Sequence, residues 1–302
     1  MQKIICVLGA TGVGKSALAI TLAKKFDGEI VSADSMQVYK GMDIGTAKVT
    51  ESEMQGIPHY MLNVADLNEK FTTADWLTGA KKAIDEITQK GKVPIVVGGT
   101  GLYFNSLLYD YNFAGEQTSE SDRAKYEQIL AEKGEDYLWD ILNGLDKNVA
   151  NLVPKTKHKA IIRAICVLKS GGEFQVLDKD KNFVYDALII GLTSPREELY
   201  KRVNERVDKM LDGGLEEEFD ALVKAGLKEN TQQGLAIGYR EFFDYKRGKY
   251  GKARLVELIK QHSRNYVKRQ YTWFNHLKGV EWFSSTETEK IEQICKEHLC
   301  KK

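Results

Sequence analysis

The stretch from Gly9 to Ser16 reads GATGVGKS, which has the glycine, four residues, glycine, lysine, serine spacing of a phosphate-binding loop, or P-loop. It follows a β-branched apolar run, Lys3–Gly9, and precedes a stretch with helical periodicity, Lys15–Phe26. In that context the glycines let backbone N–H groups converge on phosphate oxygens, and the N-terminus of the helix adds positive potential. The motif therefore restricts the chain to folds in which a buried strand passes through this loop into a helix.

The side chains of the loop have distinct expected roles. Lys15 adds a point charge against the phosphates, and the hydroxyl of Ser16 is suited to ligating Mg²⁺. The residues expected to hold the phosphates are Gly9, Ala10, Thr11, Gly12, Val13, Gly14, Lys15 and Ser16. The alternative, a glycine-rich turn without a ligand, stays open on the motif alone.

Strands and helices alternate through the first third of the chain. Further apolar strands are predicted at Gly28–Ser35 and Val93–Gly101, with an amphipathic helix at Thr73–Lys92 between them. This alternation predicts an α/β fold with a P-loop NTPase-like parallel sheet flanked by helices. A further strand is expected at Tyr185–Thr193, and three or four helices after Pro195.

The composition changes between these parts. Residues 116–146 are acidic and helix-forming, and residues 155–169 carry five Lys and Arg and no acidic residue. We therefore predict a core made of residues 1–112 and 185–302 that carries an inserted small all-helical domain, residues 113–184.

The overall composition limits the class of protein. The 44 Lys and Arg against 43 Asp and Glu leave a net charge of +1, so only local clusters of charge can indicate a nucleic acid partner. Four scattered cysteines are too few for a disulfide framework, and no apolar run approaches the roughly 20 residues of a membrane helix. Met1 runs almost directly into the first strand, so no signal peptide is expected. We predict a cytoplasmic protein that does not bind membranes.

An ATP-driven motor with such a loop needs an acid that holds Mg²⁺ at the end of another core strand. The strand at Pro94–Val97 ends in GGTG and offers none. The nearest alternative is Asp34, at the carboxyl end of the second strand, where ligands of such sheets bind. Asp34 is either a turn residue or a carboxylate that acts as general base or as an outer ligand of a metal. Thr100 is likewise either a turn residue or a hydroxyl in the same pocket.

Seven segments occur in an order that points to one family. They are GATGVGKS, VSADSMQVYKGMDIGTAK (Val31–Lys48), IPHYML (Ile57–Leu62), VVGGTGLYF (Val96–Phe104), RVNERVDKML (Arg202–Leu211), AIGYREF (Ala236–Phe242) and KRQYTWF (Lys268–Phe274). Together they resemble the tRNA dimethylallyltransferase family, also called tRNA isopentenyltransferases. The resemblance spans about residues 3–110 and 185–275, and it is closest to the bacterial type, because the zinc-finger extension of eukaryotic relatives has no counterpart.

The resemblance implies that the loop holds a diphosphate instead of ATP, although it leaves open whether ATP can also occupy the loop. Members transfer the dimethylallyl group of dimethylallyl diphosphate to N6 of the adenosine 3′ of the anticodon, in tRNAs that read codons beginning with U. The missing acid after the third predicted strand is compatible with this reaction, because no phosphoryl group is transferred. The implied cofactor is Mg²⁺ on Ser16, the implied partners are the donor and the tRNA anticodon stem-loop, and the expected state is a monomer.

The same resemblance assigns three residues to the chemistry. Asp34 would accept the proton of N6, Thr100 would position the bridging oxygen or the amine, and Arg206 would neutralise the departing diphosphate. Arg202, one turn earlier on the same helix face, would assist; the alternative for Arg206 is a solvated helix arginine. The target adenine must leave its stack to reach such a site. The residues expected to line the adenine site are Asp34, Ser35, Met36 and Gln37.

Positive charge is concentrated near the C-terminal end of the resemblance. Between Arg240 and Gln270, ten Lys and Arg face three Asp and Glu, with several tyrosines interspersed. This combination favours single-stranded RNA, and the alternative is a pair of solvated helices whose aromatic side chains belong to the core. Trp273 and Phe274 are expected in the core. The candidate RNA contacts here are Gly238, Tyr239, Arg240, Lys268 and Arg269.

In the family, the inserted domain grips the anticodon stem-loop with a Gln-Arg-x-x-Arg-like segment. The matching stretch is KAIIR, in which Arg163 is kept, Lys159 replaces the glutamine and Ala160 replaces an arginine. Cys166 stands where an acid is usual. Lys159 and Arg163 are therefore the candidate RNA contacts of this domain.

Some features and functions remain as alternatives. CKEHLC (Cys295–Cys300) holds three metal-binding side chains with no fourth nearby, so a helix is favoured over a metal site. A prenyltransferase for free adenine nucleotides would have little use for the basic insertion. A small-molecule kinase would use Asp34 as base, and a non-catalytic RNA-binding protein would have no need of the intact Lys15 and Ser16.

Overall fold

The computed structural model of the chain describes residues 1–111, 120–174 and 182–301. The chain forms two compact units, one made of Met1–Leu108 and Phe183–Lys302 and the other of Tyr109–Asn182. The domain boundary expected between residues 112 and 113 lies outside the described residues.

The first unit is built on a sheet whose six described strands all pair in parallel, in the order β3-β2-β4-β1-β5-β6. The strands are β1 (Lys3–Gly9), β2 (Gly28–Ala33), β3 (His59–Tyr60), β4 (Val93–Gly98), β5 (Asp186–Thr193) and β6 (Val280–Ser284). Every residue of β2 is buried, which explains why this strand lacks an alternating polar face. The predicted α/β fold with a parallel sheet is confirmed.

Helices cover this sheet and form the second unit. In chain order they are α1 (Lys15–Lys25), α2 (Glu51–Met54), α3 (Thr73–Gln89), α4 (Gly101–Leu108), α5 (Glu120–Leu145), α6 (Lys147–Leu152), α7 (His158–Lys169), α8 (Arg196–Asp212), α9 (Leu215–Lys224), α10 (Arg240–Lys246), α11 (Lys252–Phe274) and α12 (Thr288–Cys300). Local sequence sets their ends: α3 begins with a capping box in which Thr72 accepts the N–H of Asp75 and Asp75 accepts the N–H of Thr72. In the part of the chain that the structure describes, no helix is both long and apolar enough to span a bilayer.

One expectation was wrong, and two strands were not predicted. Among the described residues five helices, not three or four, follow Pro195, and a strand, β6, lies among them. The two-residue strand β3 was also not predicted. Both missed strands lie at the edges of the sheet and are only half-buried, so neither has the continuous apolar run that marks the inner strands.

The order of the strands places the predicted site. β4 lies between β2 and β1, with Ala33 opposite Gly98 and Leu8 also opposite Gly98. A side chain on Gly98 would overlap the backbone of Ala33, so glycine permits this close pairing. The phosphate loop, the Asp34 segment and the segment that starts at Gly99 therefore leave the sheet side by side at its carboxyl edge.

In the second unit, every described element is a helix. α5, α6 and α7 enclose a small core that includes Leu138, Leu142, Ile161 and Ile165. α5 is interrupted at Gly134, whose φ of 81° lies in the left-handed region.

Candidate active site

The carboxyl ends of β1, β2 and β4 open into a cavity of about 360 Å³ in the first unit. Many of the residues singled out in the sequence line it, although they lie far apart along the chain. They are Thr11, Lys15, Ser16, Asp34, Ser35, Met36, Gln37, Arg206, Gly238, Arg240 and Arg269.

The phosphate loop has the geometry of an anion site. Gly12 and Gly14 take φ values of 77° and 105°, which the loop needs to turn its N–H groups. The ammonium of Lys15 donates to the carbonyl oxygen of Ala10 at 2.9 Å. Burial lowers the pKa of Lys15 to about 8, against the opposing effect of the Asp34 carboxylate. The loop therefore holds a lysine whose charge a bound anion would stabilise. Two side chains of the loop, those of Ala10 and Val13, instead belong to the hydrophobic core.

Asp34 stabilises a turn and also presents its carboxylate to the cavity. Its Oδ1 accepts the N–H groups of Met36, at 2.9 Å, and Gln37, at 3.3 Å, so it stabilises the turn after β2. Its Oδ2 accepts no hydrogen bond from the described residues, and the side chain lines the cavity. The carboxylate also raises the pKa values of Lys15 and Arg206, which means that it lies within electrostatic reach of both cations.

Arg206 projects from α8 into the same cavity. Its Nη2 donates to the carbonyl oxygen of Thr46 at 3.1 Å. Burial lowers the pKa of this guanidinium, and Asp34 raises it. Arg202, one turn earlier, donates instead to the hydroxyl of Ser194 and is not among the residues lining this cavity in the described parts of the chain. Only the second of the two arginines therefore lies at the site.

Thr100 holds the loop that carries Asp34. Its Oγ1 accepts the N–H of Ser35 at 3.0 Å, and its own N–H donates to the carbonyl oxygen of Ala33 at 3.1 Å. Among the described residues it does not line the cavity, whereas its neighbours Gly98 and Gly99 do. The structure thus gives its hydroxyl a partner inside the protein.

Gln270, which no sequence pattern indicated, joins two loops of the site. Its Oε1 accepts the N–H of Thr11 at 2.9 Å, and its Nε2 donates to the carbonyl oxygen of Gly99 at 3.1 Å. The side chain is buried within α11 and lines the cavity. In the sequence, Gln270 is distinguished only by its place in the KRQYTWF segment, where Lys268 and Arg269 are the predicted RNA contacts.

Glu218 was not predicted, because it lies in a run of three glutamates that resembles a solvated helix face. Its carboxylate accepts the N–H groups of Asp43, Ile44 and Gly45 at 2.7–3.0 Å. It also accepts the hydroxyl of Tyr239 at 2.7 Å. Glu218 therefore fixes the loop that presents the carbonyl oxygen of Thr46 to Arg206.

Tyr239, a candidate RNA contact, is fully buried. Its ring lies so close to Gly45 that a side chain there would overlap it. The ring is thus part of the core and has no face available to a base. Two expectations for α11 have opposite outcomes: Phe274 is buried as expected, whereas Trp273 is 44% exposed, with its indole packed on Gly101.

Two cationic side chains that line the cavity, Arg240 and Arg269, also reach solvent and so mark its mouth. Arg240 donates through Nε to the buried carboxylate of Glu241 at 2.7 Å, and that carboxylate also accepts the N–H of Gly238 at 2.8 Å. Arg269 is exposed, and its guanidinium lies 5.4 Å from the centre of the Tyr266 ring. Lys268 is exposed as well but borders a separate cavity next to α8. The mouth therefore carries one arginine paired with a carboxylate and one exposed arginine next to an aromatic ring.

In the second unit, the two candidate RNA contacts differ. Lys159 is exposed on α7. Arg163 donates through Nη2 to the hydroxyl of Tyr111 at 3.1 Å and lies 5.4 Å from the ring centre of Phe174. Lys159 is thus the more accessible of the two cations.

The residues that line the cavity fit Mg²⁺ only where a bound diphosphate supplies further ligands. No cluster of three His, Cys, Asp or Glu side chains suited to a metal occurs in the described residues. Ser16 and Asp34 offer one hydroxyl and one carboxylate to the cavity. Mg²⁺ usually keeps several waters and binds substrate phosphates, so this donor set fits an ion that arrives with a diphosphate. In CKEHLC, Cys295 is packed in the core and α12 continues to Cys300, as the helix interpretation requires.

Comparison with known proteins decides the family. The family model described as IPP transferase matches residues 37–277. The chain belongs to the IPP transferase family. It is 42% identical to a tRNA dimethylallyltransferase of Enterococcus faecalis, over 100% of this chain and 99% of that protein. It is 43% identical to one of Bacillus anthracis, over 97% and 94% of the two chains. The resemblance seen in the sequence motifs is confirmed.

Solved structures agree with this assignment. The tRNA isopentenylpyrophosphate transferase of Bacillus halodurans superposes with a TM-score of 0.75 at 36% identity, covering 99% of this chain and 97% of that one. A eukaryotic dimethylallyltransferase, whose structure shows it acting on tRNA, has a TM-score of 0.80 at 27% identity, covering 99% and 80%. The family therefore extends over both units of the chain.

Proposed function

We propose that this IPP transferase moves the dimethylallyl group of dimethylallyl diphosphate to N6 of the adenosine 3′ of the anticodon in tRNAs that read codons beginning with U. The observation that supports it best is the grouping of Lys15, Arg206 and Asp34 in one cavity. The two cations match the charge of a departing diphosphate. The carboxylate matches the need for a proton acceptor.

The reaction has a simple balance. The lone pair of N6 forms a bond to the allylic carbon while the bond from that carbon to the diphosphate oxygen breaks. The electron pair leaves with the diphosphate, and Lys15, Arg206 and the N–H groups of the loop stabilise its charge. Oδ2 of Asp34, which the turn leaves without a hydrogen bond, takes the N6 proton. Because the lone pair is delocalised into the adenine ring, orientation in the cavity contributes to the rate.

Mg²⁺ held by Ser16 and the diphosphate would supply further positive charge to the leaving group. Thr100 contributes by fixing Ser35, and therefore the loop of Asp34. A flipped adenine would enter between Ser35, Met36 and Gln37, which line the cavity.

The tRNA would bind through the cations described above. Arg240 and Arg269 at the cavity mouth, with Lys268, contact the anticodon loop, and Lys159 and Arg163 of the second unit contact the stem-loop. The buried Tyr239 acts through Glu218, with no direct contact to RNA. We expect the enzyme to act as a monomer in the cytoplasm, where tRNA is found.

One labelling experiment tests this function against its alternatives. The protein is incubated with Mg²⁺ and donor carrying a labelled prenyl group, with tRNA or AMP as acceptor, and separately with ATP labelled in its terminal phosphate. Label on tRNA, lost when the target adenosine is replaced by guanosine, is the expected result. Label on AMP alone would indicate a nucleotide prenyltransferase, and phosphate transfer from ATP a kinase. Binding of tRNA without any transfer would leave a non-catalytic RNA-binding protein.

A further inference from the structure

Gln270 is a buried amide whose two ends are used by different loops. Only 5% of the residue is exposed; its two backbone partners lie outside its own helix, and its side chain also hydrogen-bonds that of Tyr266 in the same helix. The N–H of Thr11 is therefore committed to Gln270, which ties the start of the phosphate loop to α11.

Gly99 shows that the protein makes room for this amide. The backbone of Gly99 has no positive φ, so its conformation is open to any residue. A side chain there would nevertheless overlap Nε2 of Gln270. The lack of a Cβ at this position is thus explained by the close approach of the Gln270 amide.

The two bonds complete a chain of contacts between the leaving-group site and the base. The loop at Thr11 is tied to Gln270, and Gln270 is tied to Gly99. The next residue, Thr100, accepts the N–H of Ser35, which follows Asp34. One buried side chain therefore sets the distance between the phosphate loop and the segment that carries the carboxylate.

We propose that Gln270 is a positioning residue, which holds the phosphate loop in register with the Asp34 segment and so aligns the donor with its base. This inference rests on the proposed function. Because a small misplacement of reacting groups lowers the rate strongly, loss of either bond should reduce kcat and raise the KM for the donor. The affinity for tRNA should stay within about twofold, since Gln270 is buried.

Gln270→Glu offers a readout that a merely structural role would not give. As a carboxylate, the new side chain still accepts from Thr11 and can accept from Tyr266, but it has nothing to donate to the carbonyl oxygen of Gly99, and it adds a negative charge to the cavity that would hold the diphosphate. As a carboxylic acid, it restores both bonds, and burial raises the pKa of such a group. Lys15, whose pKa burial lowers to about 8, lines the same cavity as Gln270, together with Asp34, Arg206 and Tyr266, so the comparison is made below that pH. The ratio of kcat/KM for the donor, variant over wild type, should rise about tenfold as the pH falls from about 7.5 to about 6. Gln261→Glu, exposed on the same helix, is the matched control and should keep a constant ratio.

A double-mutant cycle tests the contact itself. Gly99→Ala should lower kcat/KM for the donor about tenfold in the wild-type background, because the new methyl displaces the amide. In the Gln270→Ala background the same change should have little further effect. Thermal unfolding identifies variants that fail to fold, in which case the Gln270→Glu pH profile decides.

The outcomes separate the two proposals. If the wild type labels tRNA but the Gln270→Glu ratio is independent of pH, or the two alanine substitutions act independently, Gln270 is not a positioning residue. If the wild type labels no tRNA at all, the proposed function fails. The same variants then show by equilibrium binding of dimethylallyl diphosphate whether Gln270 still sets the phosphate loop, with unchanged donor affinity counting against it.

Discussion

The Asp34→Asn substitution separates the chemical role of this carboxylate from its role in the turn. Oδ1 of Asp34 accepts two backbone N–H groups, and the carbonyl oxygen of asparagine can accept both. What the substitution removes is the charge and the free Oδ2. We therefore expect a stable protein whose kcat is reduced by about 10²- to 10⁴-fold, the usual range for a general base and about 3 to 5.5 kcal/mol of barrier.

The same substitution has an electrostatic effect with a defined sign. Asp34 raises the pKa of Lys15, which burial lowers to about 8. Without Asp34 the pKa of Lys15 falls further, so a smaller fraction of this lysine is charged at about pH 8 than at about pH 6.5. The KM for the donor should therefore increase more at the higher pH.

Asp34→Ala is the comparison that isolates the turn. It removes the acceptor of the Met36 and Gln37 N–H groups as well as the base. Its free energy of unfolding should fall by about 1 kcal/mol relative to Asp34→Asn, as measured by urea denaturation. The two variants should have similar kcat values, because both lack the base.

The assay is a single turnover of enzyme saturated with donor and tRNA, with binding of tRNA measured separately. Saturation removes any contribution from affinity. A variant that converts bound substrate within about threefold of the wild-type rate, but binds tRNA weakly, would refute the role of Asp34 as base. Asp34 would then be a residue that recognises tRNA.

Three further predictions follow from particular contacts. Burial lowers the pKa of Lys15 to about 8 in the protein without donor, so kcat/KM for the donor should fall by about tenfold per pH unit above that pH. Lys15→Arg stays charged and should lack this fall. Tyr239→Phe removes the hydroxyl that donates to Glu218 and should lower stability by about 1 kcal/mol in urea denaturation without changing RNA affinity, because the ring is buried; a large loss of affinity would restore the stacking role. Arg269→Ala should weaken tRNA binding and reduce the slope of log affinity against log salt by about 1, whereas an unchanged slope would place this exposed guanidinium away from RNA phosphates.

The inner strands of the sheet were predictable from local sequence patterns, because a strand buried on both faces has a continuous apolar run. β1, β2, β4 and β5 are continuous buried runs, and each was found within a few residues of its ends. β6 was missed because an edge strand is stabilised by its partner: Trp282 packs over Gly191, where a side chain would lie 2.6 Å from the indole ring. Such a contact has no signature in the five residues of the strand itself.

The site shows the same division. Lys15, Asp34 and Arg206 were identifiable from motifs, and the structure brings them into one cavity. Gln270 and Glu218 were not, because an amide or a carboxylate on a helix looks the same in sequence whether it meets solvent or a distant loop. For Tyr239 the sequence predicted an RNA contact, whereas the structure buries the ring. An aromatic residue among cations cannot be distinguished from a base-stacking one until its burial is known.

The sequence by itself determined the phosphate loop, the parallel α/β core and the membership of a family, because glycine spacing, apolar runs and ordered motifs are properties of neighbouring residues. Only the tertiary structure decided which polar side chains hold the loops of the site and which basic residues face its mouth. Those choices depend on burial and on hydrogen bonds between segments up to 259 residues apart, such as Thr11 and Gln270. The physical reason is that a polar side chain takes its role from the partner that folding brings to it.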